Sequence, residues 1–156
     1  MKDPPAPSID DAQDRIIQEM AGLEDQLAKY EYLVGLGRDL IGAEDIRTEE
    51  NRVPGCQSQV WIRAEMEGGL LRLKADSDAL ITRGIIALLL RVLDGHPPGQ
   101  VLESRLYFLE ETGLSTQLSP SRANGLGAMV RQVREHAAKW ETPSSVSKKR
   151  LDGFEG

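Results

Sequence analysis

A pair of adjacent glycines, Gly68-Gly69, separates two stretches in which apolar and polar residues alternate. In residues 58–66 every second position carries Ser, Val, Ile, Ala or Met, and residues 70–75 alternate in the same way. A Gly-Gly connection between alternating stretches is typical of a β-hairpin with one buried face. If Glu67 pairs with Leu70, the apolar positions of the two strands face each other. The pattern therefore predicts one antiparallel hairpin with a defined register.

Helical periodicity flanks the hairpin on both sides. The pattern predicts helices over residues 9–21, 24–36, 79–93 and 120–140, with a shorter one over residues 106–112. The 79–93 helix is apolar nearly all round, so we expect it at the centre of the core, against the apolar face of the hairpin. In the 24–36 helix, the residues expected to face inward are Leu27, Tyr30, Leu33 and Val34.

Polar residues and glycines mark the predicted helix ends. Ser8 is expected to cap the first helix, Gly37 to end the second, and Ser77 to cap the third. Asp78 would then lie at the positive end of the third helix dipole. Residues 40–50 are predicted to form an extended acidic loop that leads to the only cysteine.

The totals indicate one globular domain. A chain of 156 residues can bury a sufficient core without metals or disulfides. The net charge of -6 argues against nucleic-acid binding, which favours a basic face. A single cysteine cannot form an internal disulfide, and no apolar run approaches the ~20 residues of a membrane span. We therefore expect a cytoplasmic protein that contacts neither nucleic acid nor membrane.

The cysteine, Cys56, follows the turn signal Pro54-Gly55 at the start of the first strand. A thiol on a loop tip beside a sheet edge can be offered to a partner. The alternative is an ordinary buried cysteine, because free cysteine is among the most buried residue types. The residues alone leave both interpretations open.

The two histidines do not complete a metal site or a catalytic pair with this thiol. A zinc or iron–sulfur site needs about four ligands at close spacing, whereas Cys56, His96 and His136 are far apart in the sequence. His96 lies in a Gly/Pro-rich turn and His136 inside the last helix, so both are interpreted as surface histidines rather than as a base for Cys56. No bound metal is expected.

Residues 51–62, NRVPGCQSQVWI, resemble the signature of the SufE family, sulfur-acceptor proteins that work with a SufS-type cysteine desulfurase. Three more stretches are similar to the family and follow its order: residues 30–40 (YEYLVGLGRDL), 75–90 (ADSDALITRGIIALLL) and 118–126 (LSPSRANGL). The resemblance implies an α+β fold in which helices cover a small antiparallel sheet, similar to SufE and IscU, with a third strand. Residues 9–140 would form the SufE-like domain, between disordered segments over residues 1–8 and 141–156.

The function implied by this resemblance is sulfur transfer in iron–sulfur cluster assembly. Cys56 would take persulfide sulfur from the desulfurase, stimulate that enzyme, and pass the sulfur to a SufBCD-type scaffold complex. The pyridoxal phosphate belongs to the desulfurase, so this chain needs no cofactor. It would act as an accessory protein rather than a stand-alone enzyme, as a monomer or weak dimer.

Several residues around Cys56 are candidates for supporting roles. Arg52 and Arg122 are expected to lower the pKa of the thiol by nearby positive charge. Arg122 lies in the first turn of the helix that Ser119-Pro120 opens, where a cation is locally unfavourable, and the resemblance places it near the cysteine.

Polar residues on both sides of the hairpin complete the set of candidates. Gln57, Ser58 and Gln59 can donate hydrogen bonds to a sulfur anion or satisfy the end of the strand. The N-terminus of the third helix would favour a thiolate nearby, whereas Asp76 and Asp78 would oppose it, and the sequence does not decide which effect is larger.

Two other functions fit a single reactive thiol. One is a thiol peroxidase that cycles Cys56 through sulfenic acid. The other is a non-catalytic regulator of the desulfurase, in which Cys56 is only structural.

Overall fold

The computed structural model describes residues 7–40, 44–56, 58–114 and 120–141. The described elements are, in chain order, α1 (Ile9–Ala21), α2 (Gln26–Asp39), two 3-10 turns (Glu44–Ile46 and Glu49–Asn51), β1 (Val60–Glu67), β2 (Leu70–Ser77), α3 (Leu80–Leu93), α4 (Pro98–Glu103), α5 (Phe108–Glu111) and α6 (Pro120–Glu141). The α+β class is confirmed.

The hairpin has the register that the sequence predicts. Strands β1 and β2 are antiparallel, and Glu67 pairs with Leu70. Gly68 and Gly69 have φ angles of 61° and 82°, which side chains disfavour, so the turn depends on glycine. Among the described residues the sheet has two strands, and single bridges extend it at its edges, from Arg52 to Trp61 and from His96 to Leu71. In place of the third strand that the family resemblance implies, the described residues contain these two isolated bridges.

Helix α3 forms the centre of the core, as its composition predicts. Ile85, Ile86, Leu88 and Leu89 are almost fully buried. On one side, α3 packs on the apolar face of the hairpin. Because burying one such side chain contributes about 1.5–3 kcal/mol, this layer is a main source of stability and holds the hairpin in place.

A close contact between glycines joins α2 to α3. A Cβ atom on Gly37 would lie 2.5 Å from the carbonyl oxygen of Leu80, and one on Gly84 would overlap the carbonyl of Leu33. Helix α2 continues past Gly37 to Asp39, so the prediction that Gly37 ends it is wrong.

The same contact changes which face of α2 is buried. Leu33 is buried as predicted, but Leu27 and Tyr30 are 64% and 54% exposed. The glycine contact at the C-terminal half of α2 sets the orientation of the helix, and the first turns consequently present their large side chains to solvent.

The predicted cap of α3 and the predicted loop before Cys56 are also corrected. Ser77 is the last residue of β2, and Ala79 is the N-cap of α3 without a side-chain bond. The Ser77 hydroxyl still accepts a hydrogen bond from the Ala79 amide at 3.2 Å. In the described part of the predicted extended loop, residues 44–46 and 49–51 form two 3-10 turns.

The remaining helices close the core around α3. Ser8 caps α1 as predicted, since its Oγ accepts from the Asp11 amide at 3.0 Å. The buried Gln13 joins α1 to the α5 region, donating to the Arg105 carbonyl and accepting from the Phe108 amide, both at 3.1 Å.

The predicted disordered segments and the predicted cap at Ser119 fall on residues 1–6, 119 and 142–156, outside the described part of the chain. Two residues assigned to those segments, Ser8 and Glu141, belong instead to the cap of α1 and to the end of α6.

Candidate functional site

The Cys56 loop, which joins Val53 to Val60, is closed at its base by backbone pairing. The Val53 amide donates to the Val60 carbonyl at 2.8 Å, and both valines are buried. Gly55 has a φ of 87°, so the turn just before the cysteine requires a residue without a Cβ atom. The loop tip is thus presented by β1.

The thiol rests against the first turns of α6. Cys56 is half-buried, and its Sγ lies 3.5 Å from the carbonyl oxygen of Gly125 in donor geometry. A Cβ atom on Gly125 would lie 3.6 Å from this Sγ, and one on Gly55 would lie 3.7 Å from the Cβ of Ala128. Both distances are ordinary van der Waals contacts, so the Cys56 loop packs directly on α6.

Burial raises the pKa of the Cys56 thiol above its ordinary value. The sequence predicts the opposite direction, from the positive charge of Arg52 and Arg122. Arg52 is exposed and lies 3.9 Å from Glu49, and Arg122 is exposed one helical turn before Gly125. Burial is the cause of this shift, and Arg52 and Arg122 stay candidates for stabilising the thiolate.

The main chain of Gln59 is fixed from the opposite strand. Its carbonyl accepts from the Ser77 hydroxyl at 2.7 Å, and its amide donates to the Asp78 carboxylate at 3.1 Å. These bonds satisfy the end of β1, which is one of the two roles that the sequence leaves open for Gln59. Ser58 is half-buried, and Gln57 lies outside the described residues.

Asp76 lies at a buried ionic junction, a role that the sequence analysis missed. Its Oδ1 accepts from Arg83 Nη1 and from the Ser77 amide, each at 2.8 Å, and its Oδ2 accepts from Arg47 Nε at 2.9 Å. The residue is 0% exposed. The sequence contains one indication of this burial. Trp61, which pairs with Asp76, is an aromatic residue on the polar face of β1, and a large ring there suggests that another segment covers this part of the sheet.

That covering layer is the segment before the cysteine. Trp61 is buried against Ile46, and the Arg47 guanidinium carbon lies 4.9 Å from the centre of its ring. The segment that leads to Cys56 is therefore packed on the outer face of the hairpin.

The histidines do not contribute to the site. His96 is buried rather than on the surface, because its backbone bridges to β2, and His136 is half-buried. Burial lowers the pKa of both rings. Among the described residues, no group of three or more His, Cys, Asp or Glu side chains is arranged to hold a metal ion. No helix in the described ranges is long and apolar enough to cross a bilayer.

Comparisons with known proteins agree with this geometry. The sequence model of the SufE family, described as the Fe-S metabolism associated domain, matches residues 14–137. An uncharacterized SufE-like protein of Rhizobium etli is 37% identical over 130 residues, which cover 80% of this chain and 88% of the relative. The SufE-like protein 1 of Arabidopsis thaliana, chloroplastic/mitochondrial by name, is 38% identical over 128 residues, which cover 81% of this chain but 34% of that longer protein.

A solved structure shows the same fold. The solution structure of a hypothetical protein from Thermus thermophilus matches with a TM-score of 0.67 at 24% identity, covering 82% of this chain and 94% of that one. Together, the family model and its relatives show that the chain belongs to the SufE family and has a role in iron–sulfur metabolism.

Proposed function

We propose that the protein is a sulfur carrier, which accepts persulfide sulfur on Cys56 from a SufS-type cysteine desulfurase and delivers it to a SufBCD-type scaffold complex. The observation that carries this proposal is the position of the only cysteine, on a loop tip against α6, inside the motif GCQSQVW. The pyridoxal phosphate is bound by the desulfurase. The protein itself is an accessory protein of the cytoplasm, where thiols stay reduced.

The transfer step is a thiol–persulfide exchange. Cys56 loses its proton, and its Sγ attacks the outer sulfur of the persulfide on the desulfurase. A sulfur–sulfur bond forms to Cys56 while the bond to the desulfurase cysteine breaks, and that cysteine leaves as a thiolate that can take up a proton. No net oxidation or reduction occurs, so no other redox partner is needed.

The resting geometry supports a carrier that shelters its cargo between encounters. A persulfide in water is open to reductants and oxidants, whereas a sulfur packed against α6 has fewer directions of approach. The raised pKa of Cys56 keeps the resting thiol protonated and therefore weakly nucleophilic. We infer that engagement of the desulfurase draws Cys56 away from Gly125 and restores its reactivity.

The same pKa disfavours the peroxidase alternative. Thiol peroxidation and redox sensing depend on an accessible thiolate of low pKa, whereas burial raises the pKa of this thiol. A carrier also gains from having no second thiol, because such a thiol would attack the inner sulfur of the persulfide, form a disulfide and release the outer sulfur as sulfide; the chain has one cysteine.

Mass analysis of Cys56 tests the proposal directly. The protein is incubated with a SufS-type desulfurase and free cysteine, and the peptide that contains Cys56 is analysed without reductant. We expect one added sulfur atom, and none in a reaction without desulfurase or with Cys56→Ser. Added oxygen alone would indicate a peroxidase. An unmodified Cys56 with a stimulated desulfurase would indicate the regulator, and either result would overturn the carrier function.

A further inference from the structure

Two arginines contact Asp76 from different parts of the chain. Arg83 belongs to helix α3, and Arg47 belongs to the segment that leads to Cys56. Arg83, on one side, also donates to the carbonyls of Gly37 and Leu40 at 3.0 and 2.6 Å. These are carbonyls at the end of α2 that lack a partner within the helix. Arg83 and Asp76 therefore hold α2, α3 and β2 together, and this half of the junction belongs to the fold.

Arg47, on the other side, belongs to the leading segment, which we define as residues 44–53. It contacts Asp76 through Nε at 2.9 Å, and its Nη2 lies 3.4 Å from the Ser77 carbonyl. The Arg47 side chain is 34% exposed, compared with 19% for Arg83. The Arg47 half of the junction can thus open towards solvent without separating the helices.

The other described contacts that hold the leading segment are apolar, main-chain or exposed ionic contacts. Ile46 and Val53 are its buried side chains, and Ile46 belongs to a small cluster with Trp61, apart from the main core. Asp45 reaches Lys74 at 3.8 Å, but both side chains are largely exposed, and such pairs add little. Among the described residues, the ion pair between Arg47 and Asp76 is therefore the one ion pair of this segment that reaches a buried partner.

A continuous set of contacts joins that attachment to the thiol. Arg47 covers the ring of Trp61, and Trp61 forms the bridge to Arg52 at the base of the Cys56 loop. Val53, three residues before the thiol, follows Arg52 and pairs with Val60. Moving Arg47 off Asp76 would uncover one face of the Trp61 ring, the residue to which the base of the loop is bridged.

We propose that Arg47 is a positioning residue: its ion pair with Asp76 fixes the leading segment and thereby sets how closely Cys56 rests against Gly125. The consequence for sulfur transfer rests on the proposed function, but the position of the loop does not. The Cys56 loop is in equilibrium between an arrangement packed on α6 and an exposed one. A contact that exists only in the packed arrangement stabilises it, so loss of that contact increases the exposed population.

Alkylation of Cys56 by iodoacetamide in the free protein tests the proposal without any partner. Arg47→Ala is compared with the wild type and with Arg63→Ala, which removes an exposed arginine paired with Glu65 farther along β1. We expect Arg47→Ala to raise the alkylation rate about 5- to 30-fold, the effect of losing a contact of ordinary strength. Arg63→Ala should alkylate at the wild-type rate.

The pH dependence of alkylation separates positioning from a general loss of stability. If the thiol leaves α6 in Arg47→Ala, its burial decreases and the pH midpoint of alkylation falls towards that of the unfolded chain. A variant that is only less stable would keep the wild-type midpoint at temperatures well below unfolding. Amide exchange should increase over residues 51–56 and stay slow in α3.

A folded Arg47→Ala protein with the wild-type rate and midpoint would overturn the proposal. If that variant does not fold, Arg47→Gln is used instead, since it keeps a hydrogen-bond donor without the charge. A higher alkylation rate with a lower pH midpoint would support the proposal, and wild-type values would overturn it. A second experiment adds a desulfurase and measures the rate of sulfur transfer to Cys56. If the protein is a carrier, Arg47→Ala should reach half-saturation at a lower desulfurase concentration, with an unchanged maximal rate. Failure of that result alone, with faster alkylation, would count against the carrier function and not against the positioning of the loop.

Discussion

The Sγ atom of Cys56 lies 3.5 Å from the main-chain oxygen of Gly125. A protonated thiol can donate a weak hydrogen bond to that oxygen, whereas a thiolate would only meet its negative partial charge. Burial acts in the same direction, since it disfavours the charged form. The resting contact and the protonated state of Cys56 therefore stabilise each other.

The first prediction follows from this coupling and concerns pH. Because the pKa of Cys56 is higher in the folded than in the unfolded chain, the unfolded state loses its proton first as the pH rises. The stability from this contact is present below the unfolded pKa and is lost as the pH rises through the folded pKa. Urea unfolding at a series of alkaline pH values measures this loss.

Cys56→Ser is the matched control for that experiment, because serine keeps a donor for the Gly125 carbonyl but does not titrate in this range. We expect the difference in unfolding free energy between wild type and variant to shift against the wild type as the pH increases. The pH midpoint of alkylation in the folded protein should also lie above that of the urea-unfolded chain. A lower midpoint in the folded protein would mean that the thiol is activated at rest.

The second prediction concerns Arg122. Its side chain is exposed at the start of α6, one turn before the carbonyl that holds Cys56. Arg122 could stabilise the Cys56 thiolate once it has left α6, or orient the persulfide of the partner. In either case Arg122→Ala should slow sulfur transfer with little change in melting temperature. Arg122→Lys should restore the rate poorly, because lysine lacks the planar fork. Equal transfer rates in all three proteins would leave Arg122 as an ordinary surface arginine.

The third prediction concerns two glycines in the packed helices. Gly84→Ala should destabilise the protein by at least about 1–3 kcal/mol, since the added methyl group would overlap the main chain of Leu33. Gly35→Ala in α2 has no atom within 4 Å of the new methyl group. It should stabilise the protein by about 0.5–1 kcal/mol, because alanine favours a helix. Chemical unfolding of both variants measures these changes, and equal effects would contradict the close contact of α2 with α3.

The fourth prediction concerns the change on partner binding. Addition of a catalytically inactive SufS-type desulfurase should increase both the alkylation of Cys56 and the amide exchange of residues 51–56, while α3 stays protected. The loop breaks few apolar contacts when it leaves α6, so the opening has a low energetic cost. Alkylation in the free protein that is as fast as in the unfolded chain would show that Cys56 is not sheltered at rest.

The parts of this fold that follow from local pattern were predictable. The hairpin register depends on alternation on either side of Gly68-Gly69, and both are visible within a few residues. The central position of α3 follows from its composition. Family resemblance located the cysteine loop, although the residues alone left the role of Cys56 open.

The errors have a common physical origin in long-range contacts. Leu27 and Tyr30 have the spacing of a buried stripe, but the orientation of α2 is set by backbone approach at Gly37, where no side chain marks the interface. Likewise, Asp76 alternates with Arg72 and Lys74 as if it faced solvent. It is buried because Arg47, 29 positions earlier in the chain, folds over it.

The burial that raises the pKa of Cys56 could not be predicted for a similar reason. Charges near a thiol in the sequence suggest a lowered pKa, but the extent of burial depends on where α6 lies. The first turns of α6 cover the sulfur from a distance of 69 positions in the chain. Spacing in the sequence does not contain that information.

The Gly68-Gly69 turn lies at the end of the hairpin away from the cysteine, and no atom lies within 4 Å of the positions where side chains would begin. The two strands separate this tip from the loop by eight residues each, roughly 25 Å at the usual rise per residue. An affinity peptide or a fluorescent reporter inserted at the tip would therefore lie far from the Cys56 loop. Such a fusion would allow the protein to be immobilised or followed in a living cell without a tag beside Cys56.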